Sequence, residues 1–400
     1  MYCFLHQSAD WITETDSRRA CRRERLEGTR GWQPRQKGDF SKGGSALKRI
    51  VLTGGGTAGH VTPNLALIPS LIREGWDVHY VGTADGIERR LIEALPGVSY
   101  HAVSTGKLRR YFDLKNLTDP LKVVAGAGQS LMLLKKLRPN LVFAKGGFVS
   151  VPVVYGAAAL RIPVLLHESD MTPGLANKLA MPFAKKLLCT FPEAAKLAGA
   201  KGLYAGTPLR PELFSGSREK GLKMFGFRDD RPVLMVVGGS SGAQSINRAL
   251  RQALPGLTSG FQVLHLCGAG NLEGNLEGTQ GYCQREYLNE EMPHAYAVAD
   301  LLISRAGSNT LSEILALRKP SVLIPYPKTA SRGDQILNAQ SFEARGLARV
   351  LYQEDMTPET LRARVVEVYK DRGNLIDAME KEPSANGLKN VLKSIREYAK

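Results

Sequence analysis

Cysteine is scarce in these 400 residues, and the five present (Cys3, Cys21, Cys189, Cys267, Cys283) are odd in number and widely scattered. No two stand as C-x-x-C, which excludes a disulfide framework and a zinc ribbon and makes a reducing cytosol the simplest home. Aromatic residues reach only 7%. With no RNP-like aromatic motif, zinc-finger spacing or long basic helix, nucleic acid is not expected as a partner. Long apolar runs are missing too. The most apolar stretch, 141–166, is broken by Lys145, Gly146, Gly147, Pro152 and Arg161, so it reads as strand, helix, strand rather than a membrane span. The first ten residues lack the positive start and apolar core of a secretory signal.

Acidic residues are short in one region only. The formal net charge is +16, and residues 49–210 carry twenty basic against ten acidic side chains. Residues 211–400 are nearly balanced, with twenty-four against twenty-two. Such asymmetry points to a polyanion or an anionic membrane surface as partner of the first half. Residues 1–48, with "RRACRRERLEGTRGWQPRQKGDFSKGGS", are arginine-rich and without periodicity. They are expected to form a disordered basic extension, the other reading being an arm for anionic lipid.

From Arg49 onward, short β-branched runs alternate with amphipathic segments. "RIVLT" (49–53), "DVHYVG" (77–82), "LVFAK" (141–145) and "PVLLH" (163–167) read as strands, and "HVTPNLALIPSLIREG" as a helix. The rhythm restarts at "RPVLMVVGGSSGAQSINRALRQAL" (231–254). Two glycine-rich strand–turn–helix openers predict two doubly wound α/β domains facing across a cleft, over about 49–210 and 211–384. "LYAGTPLRPELF" (203–214) is the natural hinge, and a last helix over about 385–400 is placed to complete the first domain.

"VLTGGGTAGHVTPN" (51–64) satisfies G-x-G-x-x-G through Gly54, Gly56 and Gly59. A glycine turn that opens a helix presents free N–H groups and the positive dipole end to an anion. The dinucleotide reading is disfavoured because "YVGTADG" places no acid at the ribose position. A P-loop fails because Gly59 is followed by His60 and not by Lys-Ser/Thr. At a helix start the dipole disfavours imidazolium, so His60 is a candidate general base, its plainer role being a polar helix opener.

"AKGGFVSVP" supplies a second glycine pair, Gly146 and Gly147. In "STGKLRRYF", the charges Lys107, Arg109 and Arg110 interleave with Leu108, Tyr111 and Phe112, which suits a bilayer surface or an ordinary solvated loop. Glu313 in "SRAGSNTLSEI" could accept two hydrogen bonds from a ribose diol, or close a capping box with Thr310. Asp334, Gln335 and Asn338 stand at i, i+1 and i+4 near a helix start and offer donors and acceptors for sugar hydroxyls.

Together these strings, with "HESDMTPGLANK", "GTPLR" and "SRGDQILNAQSFEARG", resemble the bacterial peptidoglycan glycosyltransferases of the two-domain GT-B type, in order from about residue 49 to about 400. The resemblance implies transfer of N-acetylglucosamine from UDP-GlcNAc to lipid I, giving lipid II, by a peripheral protein at the cytoplasmic membrane face of a bacterium. It puts Thr57, Ala58 and Gly59 in the first glycine loop, and Gly146 and Gly147 beside the acceptor pyrophosphate. Asp170 takes a donor-sugar position and Arg210 lies near the donor. Ser240 meets the UDP phosphates, Glu313 the ribose, and Asp334, Gln335 and Asn338 the donor sugar. For the inverting displacement this implies, His60 is the first choice of base and Glu168 the alternative. No D-x-D string lies near either glycine turn, so no metal and no cofactor is expected. HESD stands where the family often has HEQN, and Asp334-Gln335 where it has Gln-Gln. Competing readings are a hexose transfer to diacylglycerol, a UDP-GlcNAc epimerase, and a non-catalytic nucleotide-sugar binder.

Overall fold

Where apolar side chains run continuously for four or five residues, both faces of a strand are buried, and here those runs stack into two all-parallel sheets. The computed structural model describes residues 47–106, 119–239, 242–328 and 333–399. The first sheet holds β1 (Arg49–Thr53), β2 (Asp77–Gly82), β3 (Val98–Ala102), β4 (Leu141–Ala144), β5 (Val164–Glu168), β6 (Lys186–Cys189) and β7 (Gly202–Tyr204). Its order is β3-β2-β1-β4-β5-β6-β7. Its helices are α1 (Ala58–Arg73), α2 (Ile87–Glu93), α3 (Asp119–Leu137), α4 (Ser150–Ala159), α5 (Leu175–Ala180) and α6 (Pro192–Leu197).

After α7 (Arg218–Phe225) comes the second sheet: β8 (Val233–Val237), β9 (Gln262–Leu266), β10 (Tyr282–Arg285), β11 (Leu301–Ser304), β12 (Ser321–Leu323) and β13 (Arg349–Val350). Its order is β10-β9-β8-β11-β12-β13. Around it stand α8 (Gln244–Leu257), α9 (Met292–Val298), α10 (Ser308–Ala316), α11 (Asp334–Ala344), α12 (Pro358–Lys370) and α13 (Arg372–Glu380). Strand order reverses between β1 and β4 in one sheet, and between β8 and β11 in the other. Each reversal opens a crevice at the carboxyl ends of the strands, where α/β sheets bind ligands.

The last helix, α14 (Gly387–Tyr398), leaves the second sheet and returns to the first. Its Val391, Leu392 and Ile395 are buried with Ile50, Leu52, Val61, Leu67, Tyr80 and Phe143. Burying such side chains contributes roughly 1.5–3 kcal/mol each. Arg396 Nε donates to Glu74 at 3.0 Å and staples α14 to the end of α1. The chain therefore crosses between the lobes twice, near 205–210 and 381–386. The crossings touch: a Cβ on Gly206 would stand 2.2 Å from the Ser384 carbonyl oxygen. Tyr204 OH binds Glu382 and Ser384, each at 2.6 Å, and accepts from Arg345 at 2.8 Å.

Candidate active site

The first crevice is built by two glycine turns pressed together. Residues 54–57 carry the chain from β1 into α1, and Gly146-Gly147 from β4 toward α4. Gly147 has φ of +80°, and a Cβ there would stand 2.3 Å from the Gly55 carbonyl oxygen. Only glycine fits that approach. Glu88, fully buried at the start of α2, supports the first turn from below. It accepts from the Gly56 N–H at 3.2 Å, the Thr83 N–H at 3.0 Å and the Thr83 hydroxyl at 2.6 Å.

His60 sits in the first turn of α1, with Nδ1 3.1 Å from the Gly55 carbonyl oxygen and 3.2 Å from Thr57 Oγ1. A carbonyl can only accept, so Nδ1 carries the hydrogen and Nε2 keeps its lone pair. Burial holds the His60 pKa below its ordinary value, and the Lys145 ammonium acts in the same direction. The Gly55 carbonyl and the charges of Asp170 and Glu88 oppose this. The result is a neutral imidazole whose free nitrogen can take a proton.

Glu168 ends β5 with both oxygens occupied. Oε1 accepts from the N–H groups of Ser169 at 2.8 Å and Asp170 at 3.1 Å. Oε2 accepts from the Gly174 N–H and from Asn177 Nδ2, each at 2.9 Å. A carboxylate so engaged folds the turn 168–174.

That turn is the bridge between lobes. Asp170 Oδ1 accepts from Asn338 Nδ2 at 3.2 Å, Asn338 Oδ1 accepts from the Met171 N–H at 3.3 Å, and the Thr172 hydroxyl donates to Asp334 Oδ1 at 3.1 Å. Burial pushes the Asp170 carboxyl up, with the neighbouring Glu168 charge adding to it. The first turns of α1 and α10 also meet, since a Cβ on Gly59 would stand 3.6 Å from Asn309 Nδ2. Gly59 thus borders the second lobe, and two helix N-termini converge on one cleft.

In the second lobe, Glu313 is buried within α10 and accepts from the Tyr296 hydroxyl at 2.6 Å. Burial raises its pKa, while the Tyr296 hydrogen bond and the Arg210 charge lower it. Helix α10 is capped by Gly307, which places Thr310 inside the helix. The capping-box reading is therefore corrected: Glu313 is turned to Tyr296. Gln335 Oε1 accepts from the Tyr326 N–H at 3.3 Å, and Gln335 Nε2 lies 3.9 Å from where a Cβ on Gly307 would stand. Asp334 opens α11, and Gln335 and Asn338 follow on it.

His60, Gly146 and Gly147 lie together at the first crevice and Asp170, Asp334 and Asn338 at the seam, while Gln335 borders Gly307 and Glu313 packs on Tyr296 within the second lobe, under the charge of Arg210. Ser240, Lys107, Arg109, Arg110, Tyr111 and Phe112 lie outside the described residues. Two site cations escaped sequence reasoning. Lys145 follows β4 and is 2% exposed, its ammonium bonded to Ser169 Oγ. Arg305 follows β11, the equivalent strand of the other lobe. Its guanidinium donates to the carbonyls of Ile324 at 3.1 Å and Pro325 at 3.2 Å, Ser245 Oγ at 3.0 Å and Gln353 Oε1 at 2.8 Å, and it stacks on Tyr326. A cation directly after an all-apolar strand was the available signal. Such a position lies at a strand's carboxyl end, where a solvated loop has no need of charge.

Residues 50–189 match the glycosyltransferase family 28 N-terminal domain, and residues 233–395 the C-terminal domain. A protein of Lachnospira eligens is 51% identical over 355 residues, spanning 88% of this chain and all of its own length. One of Clostridium tetani is 50% identical over 352 residues, or 88% of this chain and 98% of its own. Both are named UDP-N-acetylglucosamine--N-acetylmuramyl-(pentapeptide) pyrophosphoryl-undecaprenol N-acetylglucosamine transferase. Among solved structures, Acinetobacter baumannii MurG is 25% identical with a TM-score of 0.71, covering 88% of this chain and 99% of that one. The kitacinnamycin glycosyltransferase, at 16% identity and a TM-score of 0.67 over 89% of this chain and all of that one, shares the fold.

Proposed function

Because the chain belongs to glycosyltransferase family 28, we propose that its facing crevices perform one inverting transfer in which His60 is the general base. The chain moves N-acetylglucosamine from UDP-GlcNAc to the muramyl sugar of a pyrophosphoryl-undecaprenol acceptor, the product being lipid II. The free Nε2 of His60 takes the proton of the attacking acceptor hydroxyl as its oxygen bonds to the anomeric carbon. The bond from that carbon to the phosphate oxygen breaks, and UDP leaves with the electron pair. The imidazolium then returns its proton to solvent. The observation that carries the reading is the Nδ1–Gly55 hydrogen bond, which fixes the tautomer with its acceptor nitrogen free.

The acceptor pyrophosphate lies against the paired glycine turns, whose free N–H groups suit an anion. The donor occupies the second lobe, with its diphosphate near the N-terminus of α8, which Ser240 precedes in sequence, and its ribose on Glu313. Arg210 stands beside Glu313, and Asp170, Asp334, Gln335 and Asn338 gather at the seam for the sugar. Following UDP release from UDP-GlcNAc with and without a lipid I analogue tests the assignment. Release that depends on the analogue supports it; release without acceptor, or only with diacylglycerol, overturns it. Glu313→Gln should raise KM for UDP-GlcNAc about 10- to 100-fold with little change in kcat, the cost of one charge-assisted hydrogen bond.

Contact with the membrane is peripheral in this reading. Among the described residues no helix is long and apolar enough to cross a bilayer. The layer α3–α4–α5 exposes Val124, Met132, Leu175 and Leu179, and Phe183 stands just beyond α5. Exposed lysines Lys135, Lys136, Lys178 and Lys185 accompany them. Apolar side chains among lysines suit an anionic interface. Co-sedimentation with vesicles should follow their anionic lipid content and weaken as salt rises from about 0.05 to 0.5 M. Equal binding to neutral vesicles would overturn the electrostatic part.

A further inference from the structure

Lys145 takes no part in the transfer step above, yet it is a cation buried in the crevice where that step occurs. Its ammonium donates to Ser169 Oγ, a neutral acceptor, and among the described residues it forms no ion pair. A buried charge bonded only to a neutral hydroxyl is little screened by water and acts on the groups packed around it. The stem of Lys145 lies against Gly54. A Cβ on Gly54 would stand 3.0 Å from the Lys145 Cβ and 2.7 Å from the His60 carbonyl oxygen. The next residue, Gly146, borders the imidazole itself, its Cβ position 3.8 Å from His60 Cδ2. The Lys145 stem and the His60 carbonyl thus flank Gly54, and the imidazole borders the residue that follows Lys145.

We propose that Lys145 is a positioning residue for the base, its buried ammonium keeping a second proton off His60 and so setting the acid limb of the reaction. The inference rests on His60 being that base. The groups facing the imidazole are Lys145 from the end of β4, Asp170 from the turn after β5, Glu88 from α2 and the Gly55 carbonyl. Lys145 in turn faces Glu168 and Asp170. Two carboxylates near the imidazole favour its charged form, and Lys145 offsets them. Burial pushes the Lys145 amine down to about 8. His60 titrates below its ordinary value, so Lys145 carries its charge throughout the range in which His60 exchanges its proton.

The test separates charge from packing in the full chain. Lys145→Gln keeps a donor for the Ser169 hydroxyl and loses the charge. Lys145→Met replaces the buried ammonium by an apolar side chain of similar length, and serves should the glutamine variant not fold. Lys145→Arg keeps the charge. The His60 midpoint is read from its imidazole NMR resonances without substrate, and kcat is followed from about pH 5 to 9 with UDP-GlcNAc and a lipid I analogue. In Lys145→Gln or Lys145→Met the His60 midpoint and the acid limb should both rise by about 0.5–1 pH unit. In Lys145→Arg both should stay in place. An unmoved His60 midpoint in a folded neutral variant would overturn the proposal, since a packing role alone predicts that result. A midpoint that moves while the acid limb stays leaves Lys145's hold on His60 intact and removes His60 as the base.

Discussion

Alanine at position 60 is expected to lower kcat about 10²- to 10⁴-fold and to leave KM for UDP-GlcNAc nearly unchanged. Without a base, the acceptor hydroxyl must shed its proton to water as the bond to the anomeric carbon forms. The donor, held by the second lobe, loses no contact. In the wild type the rate should fall on the acid side with a midpoint below the ordinary histidine value, because burial and Lys145 both disfavour imidazolium. The active form is the neutral one, so rate is lost as pH falls and not as it rises. Steady-state kinetics in both substrates measure this directly. A His60→Ala enzyme as fast as wild type would transfer the role of base to another group.

Gly147→Ala should reduce kcat/KM for the acceptor by about 10²-fold or more while the donor KM holds. Two costs act together. Alanine at a φ of +80° is strained by about 1–2 kcal/mol. Its Cβ would also stand 2.3 Å from the Gly55 carbonyl oxygen, so one glycine turn must withdraw from the other. That carbonyl is the one that fixes the His60 tautomer at 3.1 Å. Displacing it moves the imidazole and the anion cradle in one stroke. A modest fall in Tm should accompany the loss. A folded variant with wild-type kcat/KM would show that the turns need not touch for transfer.

Most of the fold was legible because the strands are short, fully buried and β-branched. "RIVLT" and "DVHYVG" coincide with β1 and β2 to the residue, and "PVLLH" with β5 to within one. The site was legible only where backbone geometry carried it. Glycine turns announce themselves, as do polar residues that open a helix, such as Asp334 on α11. Side-chain partnerships reached across the chain do not. Nothing local to Glu168 says that four donors will saturate it. Nothing near Glu313 points to Tyr296, seventeen residues earlier. Lys145 was hidden for a different reason: in an apolar stretch a lysine looks like an interruption, when here it is buried with the rest.

The return of α14 to the first sheet also bears on how the protein is made. Ile50, Leu52 and Val61 are among the first residues of the folded unit to be synthesised, and Val391, Leu392 and Ile395, which cover them, are among the last. The first sheet must wait, with one apolar face unroofed, while the entire second lobe emerges and folds. Its early partner surface is available to chaperones, or to neighbouring nascent chains, for the time needed to translate some 330 residues, about 20–70 s at ordinary bacterial rates.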